Sequence, residues 1–135
     1  MASPGQLVRC IAESLGVPEP TVTYHDRLLA DAGLRTKGGR GRSAAKVLPA
    51  DAASLLIAVA GSSLVKDAVQ TVEDYSGLPS RGGEYWANGR MSGNPPSIWQ
   101  LDAFPIPELR GLPAEHSFHC ALAALIESAA NGNLH

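Results

Sequence analysis

The chain has 135 residues, a formal net charge of −2 and two cysteines, Cys10 and Cys120. This length suits one domain, or one small domain with an appendage, and two cysteines so far apart argue against a disulfide framework, so we expect a reducing cytoplasm. No run of eighteen apolar residues occurs and the N-terminus lacks the order of a signal peptide, so we expect no membrane association. Residues 1–50 carry a balance of +3 and the remainder −5, which directs a polyanionic partner to the first part.

A capped helix is predicted at the N-terminus. Ser3 and Gln6 form a capping-box pattern. Apolar residues then recur every four positions as far as Leu15, which predicts one apolar helix face. Gly16 is typical of a helix terminator, and Pro18 keeps its predecessor out of helical geometry. A three-residue turn is therefore expected between this helix and the next.

The second predicted helix spans residues 20–32 and has two different sides. Val22, His25 and Leu29 share the apolar side, where His25 is expected to be a half-buried structural histidine. The N-terminal turns of such a helix can enter the major groove of DNA, which is about 12 Å wide. They offer four side chains for bases or phosphates: Thr21, Thr23, Tyr24 and Arg27.

A basic, glycine-rich stretch, RTKGGRGRSAAK (residues 35–46), follows this helix and contains no acidic residue. Taken alone, it fits a solvated loop as well as a nucleic-acid contact. Because the stretch follows two such helices, we predict that it contacts DNA. Its glycines let the backbone follow a sugar-phosphate ridge, and Arg40 and Arg42 suit a narrow minor groove. The cations assigned to phosphates are Arg35, Lys37 and Lys46. A short strand is predicted at 45–48.

The rest of the chain is predicted as helices separated by a Gly/Pro-rich segment. Apolar patterns indicate helices over 49–61 and 62–75, a candidate strand at 97–104 and a last helix over 114–130. The apolar side predicted for the last helix consists of Phe118, Leu122, Leu125, Ile126 and Ala129. We predict three segments. Residues 1–75 form a DNA-binding domain with a trailing helix, and residues 76–113 form a linker or docking segment that contains both tryptophans. Residues 114–135 form a C-terminal amphipathic helix for dimerisation.

The order helix, turn, helix, basic loop, strand, helix is that of a winged helix-turn-helix, and the predicted fold class is mainly α with a small β wing (α+β). Ala12, Gly16 and Val22 have the helix-turn-helix spacing within IAESLGVPEPTVTYHDRLL. The stretch GVPEPTVTYHDR resembles the start of MerR-family regulators, and phage excisionase-like proteins belong to the same winged-helix group. The resemblance spans roughly residues 4–60. It implies a recognition helix in the major groove and a wing beside it.

Several residues depart from the MerR pattern. Thr23 stands where arginine is usual, and His25 replaces a second tyrosine. The loop between Leu29 and Arg40 is longer than usual, and the long dimerising coiled coil is absent. The resemblance therefore implies the mode of DNA binding but no effector chemistry.

A metal site and an enzyme active site are both considered and set aside. His116, His119 and Cys120 have spacings that suit one zinc ion on a helix, but a closed site needs a further ligand, so we expect no metal and no cofactor. The sequence contains no GxSxG, Walker or HExxH motif, and GGRGRS lacks the lysine of a phosphate-binding loop. We therefore expect a non-enzymatic protein.

The function predicted from the sequence is specific binding of double-stranded DNA by a small cytoplasmic transcriptional regulator or phage-type regulator. We expect a homodimer, because one module covers few bases, and name the transcription machinery as a further partner. One alternative is a protein-interaction adaptor of transcription or packaging machinery, whose basic loop binds an acidic protein surface. A second is a sequence-independent architectural DNA binder.

Overall fold

The computed structural model describes residues 3–35, 47–78, 85–87, 90–92, 107–110, 112 and 116–132. The described part is mostly helical, which confirms the mainly α prediction. The α-helices are α1 (Pro4–Leu15), α2 (Glu19–Asp31), α3 (Pro49–Gly61), α4 (Ala68–Ser76), α5 (Pro107–Arg110) and α6 (Phe118–Ala130), with a 3-10 turn at Val65–Asp67 before α4. No helix in these ranges combines the length and apolar character needed to cross a bilayer.

The start of α1 is a capping box, as the sequence predicts. The Gln6 backbone N–H donates to the Ser3 hydroxyl at 3.3 Å, and the Ser3 N–H donates to the Gln6 side-chain oxygen at 2.9 Å. These bonds satisfy N–H groups that the first turn of a helix leaves without partners. The predicted apolar face is confirmed at Val8 and Ile11, which are buried, but not at Leu15, which is 42% exposed. Leu15 belongs to the last turn of α1, where the chain turns away toward α2.

The core lies between α1, α2, α3 and α4. Its most deeply buried large side chains are Val22 and Leu29 of α2, Leu55 of α3 and Val72 of α4. α3 is central, because it contacts α1, α2, α4 and α6. Its sequence PADAASLLIAVAG is apolar around most of its circumference, which is typical of a helix surrounded by others.

The C-terminal helix α6 packs on α3 through small side chains. Ala124 and Ser128 are buried there, whereas Phe118 and Leu125 are 42% and 37% exposed. Of the apolar side predicted for this helix, Leu122 packs against the core, whereas Phe118 and Leu125 do not. Close approach of two helices requires small residues at the contact, and the alanines of α3 and α6 provide it. The helix also begins at Phe118, later than predicted, because Ser117 is its N-cap.

The described strands do not lie where a wing was predicted. β1 (Tyr85–Ala87) and β2 (Arg90–Ser92) form an antiparallel hairpin in which Trp86 pairs with Met91. At the predicted strand 45–48, Leu48 instead precedes α3 as its N-cap, and residues 45 and 46 lie outside the described residues, as does the predicted strand 97–104. The β wing and the winged arrangement therefore stay predictions.

Candidate nucleic-acid interface

The turn between α1 and α2 is built by three residues at the helix-turn-helix positions. Ala12 of α1 is 7% exposed and Val22 of α2 is fully buried, so both lie in the contact between the two helices. Gly16 has a φ of 66°, in the left-handed region that favours glycine. The Val17 N–H then donates to the Ala12 carbonyl at 3.1 Å. This packing fixes one side of α2 inward and leaves the other side outward.

The outward side of α2 presents an aromatic hydroxyl and a guanidinium. Tyr24 is 52% exposed, and Arg27 is exposed one turn further along. Thr21 and Thr23 are half-buried at the edges of this side, and the Thr23 hydroxyl donates to the Glu19 carbonyl at 2.9 Å. All four predicted contact residues of α2 are therefore at least partly exposed to solvent, and Tyr24 and Arg27 are the most exposed of them.

His25 lies on the inward side of the same helix. It is 4% exposed, and its Nδ1 is 2.9 Å from the Thr21 carbonyl, which as an acceptor requires the proton on Nδ1. His25 is thus more deeply buried than the half-buried position predicted for it.

The basic stretch is described only at its first residue. Arg35 is placed, whereas the predicted DNA-contacting residues Lys37, Arg40, Arg42 and Lys46 lie outside the described residues. Their assignment to the minor groove or to phosphates therefore stays a prediction. The structure describes the chain from the end of α2 at Asp31 as far as Arg35, and again from Val47 and Leu48 before α3.

Arg35 lies against α2 and pairs with a buried carboxylate. Its Nε is 2.6 Å from Oδ1 of Asp26, and the two side chains are 12% and 11% exposed. A buried carboxylate is costly unless a cation or hydrogen-bond donors accompany it, and the Arg35 guanidinium supplies the cation. The phosphate contact predicted for Arg35 would require this ion pair to open.

Asp26 is a buried charged residue to which the sequence prediction gave no role. The signal was its position: it follows Val22 by four residues and precedes Leu29 by three, which places it at the border of the apolar side. A charge at such a position predicts a buried ion pair whenever a cation follows the helix closely.

The environment of Asp26 raises the pKa of its carboxyl group above the ordinary value. The largest cause is burial, which disfavours the charged form; the Arg35 guanidinium acts in the opposite direction, and the nearby Asp51 carboxylate of α3 adds a smaller increase. Burial therefore outweighs the ion pair, and the ionised form of Asp26 costs free energy in the folded state.

This raised pKa predicts a contribution of Asp26 to the pH dependence of stability. The folded state takes up the proton at a higher pH than the unfolded state, whose Asp pKa is about 3.9. The stabilising contribution of protonated Asp26 to the free energy of unfolding is therefore complete below that pH. It is lost as pH rises through the pKa of Asp26 in the folded state. Urea unfolding of the wild type and of Asp26→Asn, measured from pH 7 to pH 4, should show the wild type gaining relative to the variant as pH falls. The gain is at most about 1.4 kcal/mol per pH unit for one proton. If the free energies of unfolding of the wild type and of Asp26→Asn changed in parallel with pH, this prediction would be wrong.

His119 joins α6 to α3 rather than forming a reactive site. Its Nε2 is 2.9 Å from the Ser54 hydroxyl oxygen and 3.1 Å from the Ala50 carbonyl oxygen. A carbonyl only accepts, so Nε2 carries the proton and cannot act as a base toward Ser54. The Ser54 hydroxyl itself donates to Ala50 at 3.1 Å. These bonds hold the start of α6 on the first turns of α3.

His116, His119 and Cys120 do not form a metal site within the part of the chain that the structure describes. There, no group of three or more His, Cys, Asp or Glu side chains is arranged to hold a metal ion. His119 already uses Nε2 on α3, and Cys120 and Cys10 are exposed free thiols.

Comparison with known proteins adds no assignment. No family model, no curated protein and no solved structure matches this chain. The resemblance to MerR-family regulators therefore depends on the residues quoted for it, and a function for this surface has to be argued from its geometry and charge.

Proposed function

We propose that this protein binds double-stranded DNA sequence-specifically, as a transcriptional regulator or phage-type regulator, with α2 in the major groove and the basic stretch 35–46 beside it. The observation that carries the proposal is the two-sidedness of α2. Val22 and Leu29 anchor its inner side in the core, while Tyr24 and Arg27 stand exposed on the opposite side. A helix held in this way can lie along a groove without losing its own packing.

The size and chemistry of the outward side fit a major groove. A helix with side chains has a diameter of about 10–12 Å, which matches a groove about 12 Å wide. Arg27 can donate two hydrogen bonds to a guanine edge, and Tyr24 can reach a base or a phosphate. Asp31, one turn beyond Arg27, is exposed and negatively charged, so the N-terminal turns of α2 are the ones that meet DNA.

The distribution of positive charge also supports DNA binding next to α2. The protein is acidic overall, at −2, so attraction to DNA has to come from a local concentration of cations. Residues 35–46 contain five of the eleven Lys and Arg residues. They begin four residues after the end of α2, and the Arg35 side chain lies against that helix in its ion pair with Asp26. Arg40 and Arg42 enter the minor groove in this proposal, and Lys37 and Lys46 bind phosphates.

We further propose that the protein acts as a homodimer in the cytoplasm. An open apolar groove of about 390 Å³ lies between α3, α4 and α6. Tyr75 and Phe118 line it and are 46% and 42% exposed, so large apolar surface is available for a partner. Two copies of α2 would then read two symmetric half-sites. The free thiols of Cys10 and Cys120 suit a reducing compartment.

Selection of bound duplexes from a random pool tests the proposal. Enrichment of one sequence, with two-fold symmetry, is the expected result. Substituting Arg27→Ala should cost about 1–3 kcal/mol on the selected duplex and relax the preference at one base pair. The matched control is Arg9→Ala, which removes an exposed arginine from α1. It should lower affinity slightly and equally for all duplexes.

The other outcomes separate the alternatives. Binding without enrichment, unaffected in selectivity by Arg27→Ala, would identify an architectural DNA binder. Absence of binding to any duplex at 50 mM salt would overturn DNA binding and leave the adaptor, whose basic stretch binds an acidic protein surface.

A further inference from the structure

Four residues of α2 form one row along its outward side, because they are spaced four apart in the sequence. They are Glu19, Thr23, Arg27 and Asp31. Each is rotated by about 40° from the one before it, since four residues of a helix turn through about 400°. Thr23 is half-buried and the other three are exposed. The row therefore has one cation, Arg27, and a carboxylate at each end.

The hydroxyl of Thr23 uses its proton within the helix. Its Oγ1 donates to the Glu19 carbonyl at 2.9 Å. A hydroxyl has one proton and two lone pairs, so in this arrangement Thr23 acts as an acceptor toward any outside group. The oxygens of a phosphate diester are acceptors too, and two acceptors do not form a hydrogen bond with each other. Thr23 in this geometry therefore fits a donor on a base edge and does not fit the phosphate backbone.

The acids at the two ends of the row also argue against phosphate contacts along it. Glu19 and Asp31 are exposed, and carboxylates and phosphates repel each other. The base edges in the major groove are different, since adenine and cytosine each present an exocyclic amino group that donates a hydrogen bond. Glutamate accepts from the amino group of cytosine, and a threonine hydroxyl can accept from either base. The row therefore matches the floor of the groove in charge and in hydrogen bonding.

We propose that Glu19 and Thr23 are specificity-determining residues that each accept a hydrogen bond from an exocyclic amino group of adenine or cytosine. Arg27, the next member of the row, donates to a guanine as in the proposed function, on which this inference rests. Neighbouring members of the row are about 6 Å apart along the helix axis, and base pairs are about 3.4 Å apart. The preferred half-site should therefore have adenine or cytosine about one or two base pairs from that guanine.

Two substitutions of Thr23 separate its hydroxyl from its methyl group. Thr23→Val keeps the shape and removes the hydroxyl, whereas Thr23→Ser keeps the hydroxyl. Duplex selection with Thr23→Val should lose the preference for adenine or cytosine at one base pair, by about 5- to 150-fold in relative affinity. Selection with Thr23→Ser should keep it. Thr21→Val is the matched control, because Thr21 is also half-buried on α2 but lies outside the row. It should leave the base preference of the wild type unchanged.

Two other outcomes for Thr23 would refute the inference. If Thr23→Ser lost the preference and Thr23→Val kept it, the methyl group would be the contact, with a thymine. If Thr23→Val lowered affinity equally for all duplexes and reduced the salt dependence, the hydroxyl would bind a phosphate. Circular dichroism of each variant verifies that α2 is still folded.

Glu19→Gln tests the second acceptor. The substitution removes a negative charge, which by itself should strengthen binding to every duplex. Because an amide both donates and accepts, the proposal predicts a relaxed preference at one further base pair and weaker binding to the selected duplex. Glu13→Gln on α1 is the matched control, since Glu13 is exposed and the change in charge is the same. If the two variants bound all duplexes alike, Glu19 would not read a base.

Modified duplexes test the contact without changing the protein. Purine in place of the selected adenine, or 2-pyrimidinone in place of the selected cytosine, removes the amino group. The wild type should lose about fivefold or more in affinity, and Thr23→Val should lose no more at the base pair that Thr23 reads. The same replacement at a base pair outside the preferred positions controls for weaker pairing. Unchanged affinity of the wild type would refute the amino-group contact and leave the proposed function standing. Failure of the selection to enrich any sequence would instead refute the proposed function, and this inference with it.

Discussion

Replacing both Arg40 and Arg42 with alanine is expected to weaken duplex binding about a hundredfold at low salt. Hydrogen bonds to charged groups contribute roughly 1.5–3 kcal/mol each, and every 1.4 kcal/mol is a factor of ten. Neutralising about four or five phosphate charges per protomer gives each protomer a contribution of roughly −4 to the log–log salt slope. Each protomer should therefore account for a roughly 250-fold fall in affinity between 50 and 200 mM salt. In the double variant this contribution should be roughly −2.

The control for this prediction removes the same amount of charge elsewhere. Arg9 and Lys66 are exposed on α1 and on the 3-10 turn before α4, outside the proposed interface. Arg9→Ala combined with Lys66→Ala should lower affinity only a few times and keep most of the salt slope. Fluorescence anisotropy with the selected duplex measures both variants over the salt series. Equal losses in the two double variants would show that net charge, and not residues 40 and 42, governs binding.

Substituting Leu29→Ala is expected to lower the free energy of unfolding by about 2–5 kcal/mol. Leu29 is fully buried on the inner side of α2 and belongs to the core formed with α1, α3 and α4. The substitution removes its transfer free energy and leaves a cavity between packed helices. Since a typical domain is stable by about 5–15 kcal/mol, a large part of the stability should be lost.

Leu64→Ala is the matched control for Leu29→Ala, because it removes the same atoms from a side chain that is 55% exposed. Its cost should be about 0.5 kcal/mol or less. Urea unfolding followed by far-ultraviolet circular dichroism measures both. Comparable losses for the two variants would mean that Leu29 is not the core residue of α2.

Local signals in the sequence predicted the N-terminal helices well. Ser3 and Gln6 specify the start of α1, and Gly16 specifies its end, because each acts through bonds or backbone angles within a few residues. The two-sided character of α2 likewise follows from its own periodicity. Such features need no knowledge of the rest of the fold.

Features that depend on distant parts of the chain were harder to predict. The ion pair between Asp26 and Arg35 joins a helix to the segment after it, and neither residue reveals its partner through spacing. The exposed position of Phe118 was missed because α6 uses its small residues on α3. Helical periodicity identifies an apolar side, but the shape of the neighbouring helix decides which side is buried.

The β1–β2 hairpin was missed for a different reason. Its strands have three residues each, and the pattern of apolar residues is too short to show alternation. The available signal was Asn88-Gly89, a dipeptide typical of two-residue hairpin loops, at the spacing that separates the two strands.

The central position of α3 means that the two halves of the protein share one structural support. α2 packs against one flank of α3 and α6 packs against another, where the His119 Nε2–H donates to the Ala50 carbonyl. A fragment that stopped at residue 75 would leave the alanine-lined flank of α3 in water. We therefore expect melting to remove both halves in one cooperative step, and a ligand that tightens α6 on α3 to slow the unfolding of α2 as well.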